Sequence, residues 1–206
     1  MKHNGFEYID LGLPSGTKWA TCNVGANSET DYGLYFAFGE TKGYSGFTDA
    51  KQFGWRDYKF SKCGSNKFIK YNDTDGKKVL DLCDDAAHTH MGGKWHMPTK
   101  EQIIELKSNT ISDWVTNYNG SGVNGILFTS KSDTSKKLFF PASGCVSSSY
   151  SEMVSKVCYY WSSSIYNNND CYGFILNIRS ALIFVALSNR NDGNTVRGVF
   201  NTFWMK

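Results

Sequence analysis

The chain has little proline and no long apolar run. Both deficits limit the classes of protein to which it can belong. Only 3 of its 206 residues are proline, whereas 20 are glycine and 16% are aromatic. No apolar run approaches the ~18 residues that a membrane-spanning helix requires. This composition favours many short strands joined by turns over long helices. The start, MKHNGFEYIDLGLPSG, has no apolar h-region, so we expect no signal peptide in this sequence.

The motifs of common enzymes and nucleic-acid proteins are also missing. The net charge is only +3 and the lysines are scattered, which is too weak a pattern for nucleic-acid binding. The sequence has no G-x-G-x-x-G loop and no C-x-x-C pair. No cysteine lies in a recognisable catalytic motif with a histidine partner. We therefore expect a protein that is not an enzyme and that binds no nucleic acid.

The potential metal ligands do not complete a site. His88 and His90 are two residues apart, so a helix would point them to different faces. Asn191 and Asp192 carry oxygen atoms that suit calcium, but no glutamate follows Glu152. The six cysteines permit three disulfides, although small buried thiols are the reading that we favour. We expect neither a metal nor a cofactor.

The pattern of short segments predicts one α+β domain over residues 1–206. Thr99 and Gln102 form a capping-box signature, which predicts a helix from Thr99 to about Lys107. Shorter helices are predicted over 28–38 and near 84–88, and a long ordered loop over 42–66. An N-terminal hairpin is predicted from the strands 6–13 and 17–24. Later strands are predicted at 125–131, 137–144, 156–163, 172–178, 182–188 and 195–200.

The C-terminal quarter lacks five residue types at once. Residues 162–203 contain no Lys, Glu, Gln, Met or Trp, yet they contain eight Asn and three Arg. Buried strands avoid Lys, Glu and Gln in any case, which explains part of this absence. Codons that end in C encode none of the five types, and AAC encodes Asn. Codon usage therefore accounts both for the five missing residue types and for the many asparagines.

Several short sequence motifs, spread in order over nearly the whole chain, resemble those of a known protein family. They are YIDLGLPSGTKWATCNVGA, DYGLYFAFGET, DDAAHTHMGGKWHMPTKEQ, LFFPASG, YYWSSS and TVRGVF. With these words the chain resembles the C-type lectin-like variable proteins of diversity-generating retroelements, found in gut bacteria such as Bacteroides and in their phages. It also resembles the broader Fibrobacter-type major paralogous domain family.

The resemblance implies a C-type lectin-like fold that displays a ligand-binding surface without catalysis. In retroelement-linked members, adenine-directed mutagenesis rewrites a segment after the W-S-S word, typically at AAC codons. That segment ends near an R-P-V-like word, which here is Arg197-Gly198-Val199 and differs at the middle residue. The resemblance thus implies a variable segment at about 162–197. It also implies a protein or glycan partner, and a location on a phage tail or a bacterial cell surface.

Strand alternation divides this segment into core and display positions. Within 182–188, Ile183, Val185 and Leu187 are predicted to face the core, and Phe184, Ala186 and Ser188 to face outward. Trp161 is predicted to lie buried beneath the sheet, against which the helix from Thr99 packs. Arg190 and Arg197 are predicted to be buried hydrogen-bonding struts.

The expected binding surface combines aromatic, amide and charged side chains, as adaptable binding sites do. We expect its residues to crowd onto one exposed patch. The asparagine run at 167–169 could instead be a solvated turn. A non-diversified surface or structural domain of the same fold, binding glycan or protein, is the alternative function. The expected ligand-binding residues are Tyr166, Asn167, Asn168, Asp170, Tyr172, Phe174, Asn177, Arg179, Phe184, Ser188, Asn189, Asn191, Asp192 and Asn194.

Overall fold

The computed structural model is a mixed α+β structure, mostly of antiparallel sheet, and describes residues 1–45, 53–147, 150–180 and 182–201. Within these ranges it has two α-helices and two short 3₁₀ helices, Leu82–Asp84 and Tyr118–Gly120. The α-helices are α1 (Ala86–Met91) and α2 (Lys100–Asn109). The strands are β1 (Lys2–His3), β2 (Phe6–Ile9), β3 (Thr17–Ala20), β4 (Tyr35–Phe36), β5 (Thr110–Val115), β6 (Gly125–Ser130), β7 (Lys137–Pro141), β8 (Cys145–Ser147), β9 (Tyr150–Glu152), β10 (Val157–Ile165), β11 (Tyr172–Arg179), β12 (Leu182–Asn189), β13 (Asn194–Thr195) and β14 (Val199–Asn201).

The predicted N-terminal hairpin is confirmed, and it joins the two ends of the described chain. β2 and β3 pair antiparallel, and β14 pairs with the other side of β3. The turn between the hairpin strands is closed by a hydrogen bond from Gly16 N to Leu13 O, 2.8 Å long. Gly16 has a φ of +73°, a conformation that residues with a Cβ seldom adopt.

The central sheet has five strands in the order β12-β11-β10-β13-β4. Trp161 on β10 is fully buried and donates from Nε1 to the carbonyl oxygen of Phe36, 2.7 Å away. The prediction that Trp161 anchors the core is therefore confirmed. Its single polar atom has a partner, so burial of the large ring leaves no unmet donor.

Helix α2 is the element that local sequence signals predicted best. Thr99 accepts a hydrogen bond from the backbone N–H of Gln102, and the side chain of Gln102 accepts one from the N–H of Thr99. Ile103 and Leu106 are buried in one cluster with Leu176 of β11. The predicted packing of this helix against the C-terminal strands is thus confirmed.

The predicted helix over 28–38 is wrong. The carboxylate of Asp31 accepts hydrogen bonds from the backbone N–H groups of Asn27 and Gly33, which holds this stretch in a turn. Gly33 has a φ of +70°, and an added Cβ would lie 2.5 Å from Val24 O. The chain then enters β4 instead of a helix. The side-chain turn competes with helical hydrogen bonds, as Asp commonly does.

Two other expectations need revision. Strand β5 was not predicted, although it pairs with β6 along six residues. The stretch 195–200 was expected to be one strand, but it divides between β13 of the central sheet and β14 of the N-terminal sheet. The expected long loop over 42–66 is described only in part, because 46–52 lies outside the described residues.

In the described ranges, no helix has the length and apolar character needed to cross a membrane. All six cysteines have free thiols, and only Cys158 is fully buried. Burial raises the pKa of the Cys158 thiol, which keeps it protonated and unreactive.

Candidate ligand-binding surface

The two faces of the central sheet have different surroundings. Leu176 and Ile178 point toward α2, on what we call the helix face. Ile175 and Asn177 point the other way, onto what we call the outer face. One end of the outer face is covered, because the ring of Phe38 lies 5.3 Å from that of Trp161.

The other end of the outer face carries a row of three side chains across three strands. Tyr159 on β10 is directly opposite Asn177 on β11, and Asn177 is directly opposite Phe184 on β12. Arg179 is two residues beyond Asn177 on the same face, and its Nη2 donates to the hydroxyl oxygen of Tyr159 across 2.8 Å. We call Tyr159, Asn177, Arg179 and Phe184 the outer-face cluster.

The polar centre of this cluster is buried while its rim is open. Asn177 is only 5% exposed, whereas Phe184 is 39% exposed and Arg179 is also exposed. Within the described part of the chain, Oδ1 of Asn177 has no hydrogen-bond partner. A buried amide oxygen without a partner costs about 1–3 kcal/mol. This oxygen has almost no accessible surface, so the parts of the cluster that a ligand can touch are the exposed side chains of Arg179 and Phe184.

The turn that follows β12 is built by some of the residues that were expected to bind ligand. Asp192 accepts hydrogen bonds from Ser188 Oγ at 2.8 Å and from Asn189 N at 3.0 Å. Asn194 is fully buried and donates from Nδ2 to Ser188 Oγ. Asn191 donates from Nδ2 to the carbonyl oxygen of Phe53. These side chains hold the turn together.

The asparagine run lies in the loop between β10 and β11. Asn167, Asn168 and Asn169 are all exposed. Asn169 organises the loop, because its Oδ1 accepts from Cys171 N and its backbone oxygen accepts from Tyr172 N. Asn167 and Asn168 are exposed, and Asn168 donates from Nδ2 to the hydroxyl oxygen of Tyr166. One asparagine of the run has a turn-forming role and two have accessible side chains.

Two clefts border this loop, and both include Tyr166 and Asn167. The larger, about 320 Å³, also includes Lys100, Asn168 and Phe174. The rings of Tyr166 and Phe174 meet edge to face, and Lys100 Nζ lies 4.5 Å from the centre of the Phe174 ring. The smaller, about 180 Å³, is bordered by Asp170. Burial raises the pKa of this carboxyl.

A buried arginine ties the loop to the body of the domain, as predicted. Arg190 is fully buried, and its guanidinium lies 4.2 Å from the centre of the Phe68 ring. It donates to the hydroxyl of Tyr58 and to the carbonyl oxygens of Lys70, Tyr71 and Asp170. The loop therefore has a fixed anchor beside its exposed asparagines.

Arg197 is the second predicted strut and is likewise fully buried. It donates to Asn23 Oδ1 and to three carbonyl oxygens, and its guanidinium lies 4.4 Å from the centre of the Phe140 ring. Both arginines therefore serve the scaffold and are unavailable to a ligand.

The expectation of a single exposed patch is wrong for two reasons. Asn177 and Asn194 lie on strands inside the central sheet and are buried, so they are not part of an exposed patch. The register also puts Tyr172, Phe174 and Asn189 on the helix face, opposite to the outer-face cluster. The expected residues thus divide between the outer face, the 189–194 turn and the loop clefts.

The assignment of strand positions on β12 is also only partly right. Ile183 and Val185 pack against the cluster that contains α2, as expected. Leu187, expected in the core, is 39% exposed, and Ala186, expected on display, packs against the other core cluster. Sequence reasoning missed Tyr159, although it lies two residues before Trp161 and so had to share its face.

One group of possible metal ligands exists among the described residues. Asp81, Cys83 and Asp84 have ligand atoms within 4.8 Å of one another. The two carboxylates are already paired with lysines, Asp84 with Lys59 and Lys70. His88 and His90 instead contact backbone carbonyl oxygens. The expectation of no bound metal stays a prediction, which elemental analysis of the dialysed protein would test.

Comparison of the chain with protein-family models, with curated proteins and with solved structures found no match. The proposals that follow therefore depend on the residues and on their geometry.

Proposed function

We propose that this chain is a ligand-binding display domain with a C-type lectin-like fold, whose C-terminal segment is diversified by a retroelement. It binds a protein or glycan on a cell surface, as a receptor-binding or adhesive domain of a phage tail or a bacterial surface. The outer-face cluster is its main binding surface, and the loop clefts extend it.

The observation that supports this proposal is the exposed pair Arg179 and Phe184, which flank the buried Asn177 on the outer face of the sheet. Arg179 and Phe184 supply a cation and an aromatic ring, the side chains that most often anchor a partner. Tyr159 adds a hydroxyl group, which accepts a hydrogen bond from Arg179 and so orders this rim. Around them, Trp161 and Ile175 are fully buried and hold the strands in place. Such a surface can change its rim without changing its core.

Binding is tested with purified protein on an array of bacterial surface glycans and on intact bacterial cells. The double variant Arg179→Ala and Phe184→Ala removes the rim. A matched control, Ile104→Ala and Lys107→Ala, removes an exposed apolar residue and a cation from α2. We expect the rim variant to lose binding by tenfold or more, which is about 1.4 kcal/mol, and the control to bind normally. Equal binding by all three proteins would contradict the proposal.

Diversification is tested separately at the level of DNA. We expect a nearby, near-identical repeat of the segment encoding about 162–197 that differs from it only at adenines. AAC codons should be concentrated at the exposed positions, such as Asn167 and Asn168. Absence of such a repeat from the complete genome would refute diversification and leave the binding proposal intact.

A non-diversified surface domain of the same fold is the second candidate. It is favoured by the turn after β12, where Asp192 accepts hydrogen bonds from Ser188 and Asn189. Free variation at Asp192 would break this turn. The DNA test distinguishes the two candidates.

A further inference from the structure

β12 forms one edge of the central sheet, and no described strand pairs with its outer side. It pairs with β11 through eight consecutive residue pairs without a bulge. No residue of β12 is charged and none is proline. Leu182 is 66% exposed, and Leu187 is 39% exposed. Edge strands are normally protected by charge, proline or a bulge, and β12 has none of these.

Two hydrogen bonds at the end of β12 identify which backbone groups point outward. Arg190 N donates to Cys171 O, toward the neighbouring strand β11. Asn189 N donates to the carboxylate of Asp192, away from β11. Because successive residues of a strand alternate in direction, Ile183, Val185 and Leu187 direct their backbone groups outward. Among the described residues, these groups have no backbone partner.

We propose that β12 pairs antiparallel with β12 of a second copy of this chain, about a two-fold axis at Val185. Only this register pairs all three outward residues with one another, Val185 with Val185 and Ile183 with Leu187. Each such pair exchanges two N–H···O=C bonds, about six in all. An axis at Phe184 or Ala186 leaves one of the three without its counterpart.

The side chains fit the same register. On the outer face it brings Leu182 opposite Ser188 and Phe184 opposite Ala186, so a large side chain always meets a small one. On the helix face it brings together only Ile183, Val185 and Leu187, which are all aliphatic. No like charges meet, since β12 carries none. A two-fold interface requires this kind of self-complementarity.

The pairing would join two five-stranded sheets into one continuous sheet. A two-fold axis perpendicular to a sheet keeps equivalent faces on the same side. The two outer-face clusters would then face the same direction, which is the arrangement that permits bivalent binding to a surface. The dimer itself does not depend on the proposed function.

The oligomeric state of the full chain is measured by sedimentation equilibrium at low and high micromolar concentrations. We expect a species of about 46 kDa, twice the 23.1 kDa of one chain. Leu187→Lys should make the protein monomeric, because it adds a charge to the aliphatic contact. Ile104→Lys is the control, since Ile104 on α2 is similarly exposed at 42%. It should remain a dimer.

Hydrogen exchange locates the interface. Amide exchange at Ile183, Val185 and Leu187 should slow as the dimer forms, while Phe184 and Ala186, already bonded to β11, should not change. A monomer at all concentrations would overturn the proposal. So would a Leu187→Lys protein that is still dimeric, or concentration-dependent protection that spares the three outward amides.

Discussion

Arg179 of β11 donates a hydrogen bond of 2.8 Å from Nη2 to the hydroxyl oxygen of Tyr159 on β10, the residue directly opposite Asn177. The bond joins two side chains on the outer face, and beside them the amide oxygen of Asn177 has no hydrogen-bond partner among the described residues. The outer-face cluster therefore combines an organised rim with an unsatisfied centre. A buried amide oxygen without a partner is costly for the fold, by about 1–3 kcal/mol.

Asn177→Leu should stabilise the domain. The substitution replaces a buried, unpartnered polar group with an apolar group of similar size, which removes a cost of about 1–3 kcal/mol. We expect a higher melting temperature in calorimetry. Asn168→Leu, on the exposed loop, is the control and should leave the melting temperature nearly unchanged. A less stable Asn177→Leu protein would show that the amide is already satisfied.

Arg190→Met should be strongly destabilising. Its guanidinium donates to one hydroxyl and three carbonyl oxygens in the interior, and the loss would leave buried acceptors unmet. We expect a loss of about 3 kcal/mol or more in denaturant unfolding. Arg179→Met is the matched control, and it should change the free energy of unfolding by less than about 0.5 kcal/mol because Arg179 is exposed. If both substitutions changed the free energy of unfolding by similar amounts, Arg190 would not be a buried strut and Arg179 an exposed surface residue, as assigned here.

Stability should fall in acid through Asp84. Burial alone would raise its pKa, but hydrogen bonds from Lys59, Lys70 and Tyr71 outweigh burial and lower the pKa from 3.8 to about 2. The charged carboxylate therefore contributes stability above pH 3.8, and this contribution is lost as the pH falls through about 2. We expect Asp84→Asn to be less stable than wild type at neutral pH and equally stable near pH 2.

The control for the acid effect is Asp113→Asn, at an exposed position of β5. Its unfolding curve should differ from wild type by the same small amount at both pH values. If the difference between Asp84→Asn and wild type were constant with pH, the lysine and tyrosine contacts would not be holding the carboxylate in its charged form.

The sequence predicted those features that depend on local signals. The capping box of Thr99 and Gln102 specified α2, and the apolar neighbours of Trp161 specified its burial. Strand alternation predicts that neighbouring residues face opposite ways, and Asn177 and Leu176 do so on β11. It could not give the depth of Asn177, because depth depends on what covers each face, which other parts of the chain decide.

The division of the expected site has a similar cause. Tyr172 and Phe174 were expected on the same exposed patch as Asn177, because the outward positions of adjacent strands and of the preceding loop were expected to coincide. On β11, however, Tyr172 and Phe174 lie on the face opposite to Asn177. The turn chemistry of Asp31 and Asp192 was also missed, since a carboxylate that caps backbone N–H groups resembles a helix cap or a ligand in the sequence.

The most direct test of the account is a display library of this domain in which Tyr159, Arg179, Leu182 and Phe184 are randomised together. It is panned against a fixed protein target, hen egg-white lysozyme, beside a control library randomised at four exposed positions of α2 and β5, Ile104, Lys107, Ile111 and Asp113. We predict that most clones of both libraries resist protease, and that specific lysozyme binders come from the outer-face library alone. Two results would contradict the claim that the outer face is a binding surface that tolerates substitution. One is an equal number of binders from both libraries, and the other is an outer-face library that is largely unfolded.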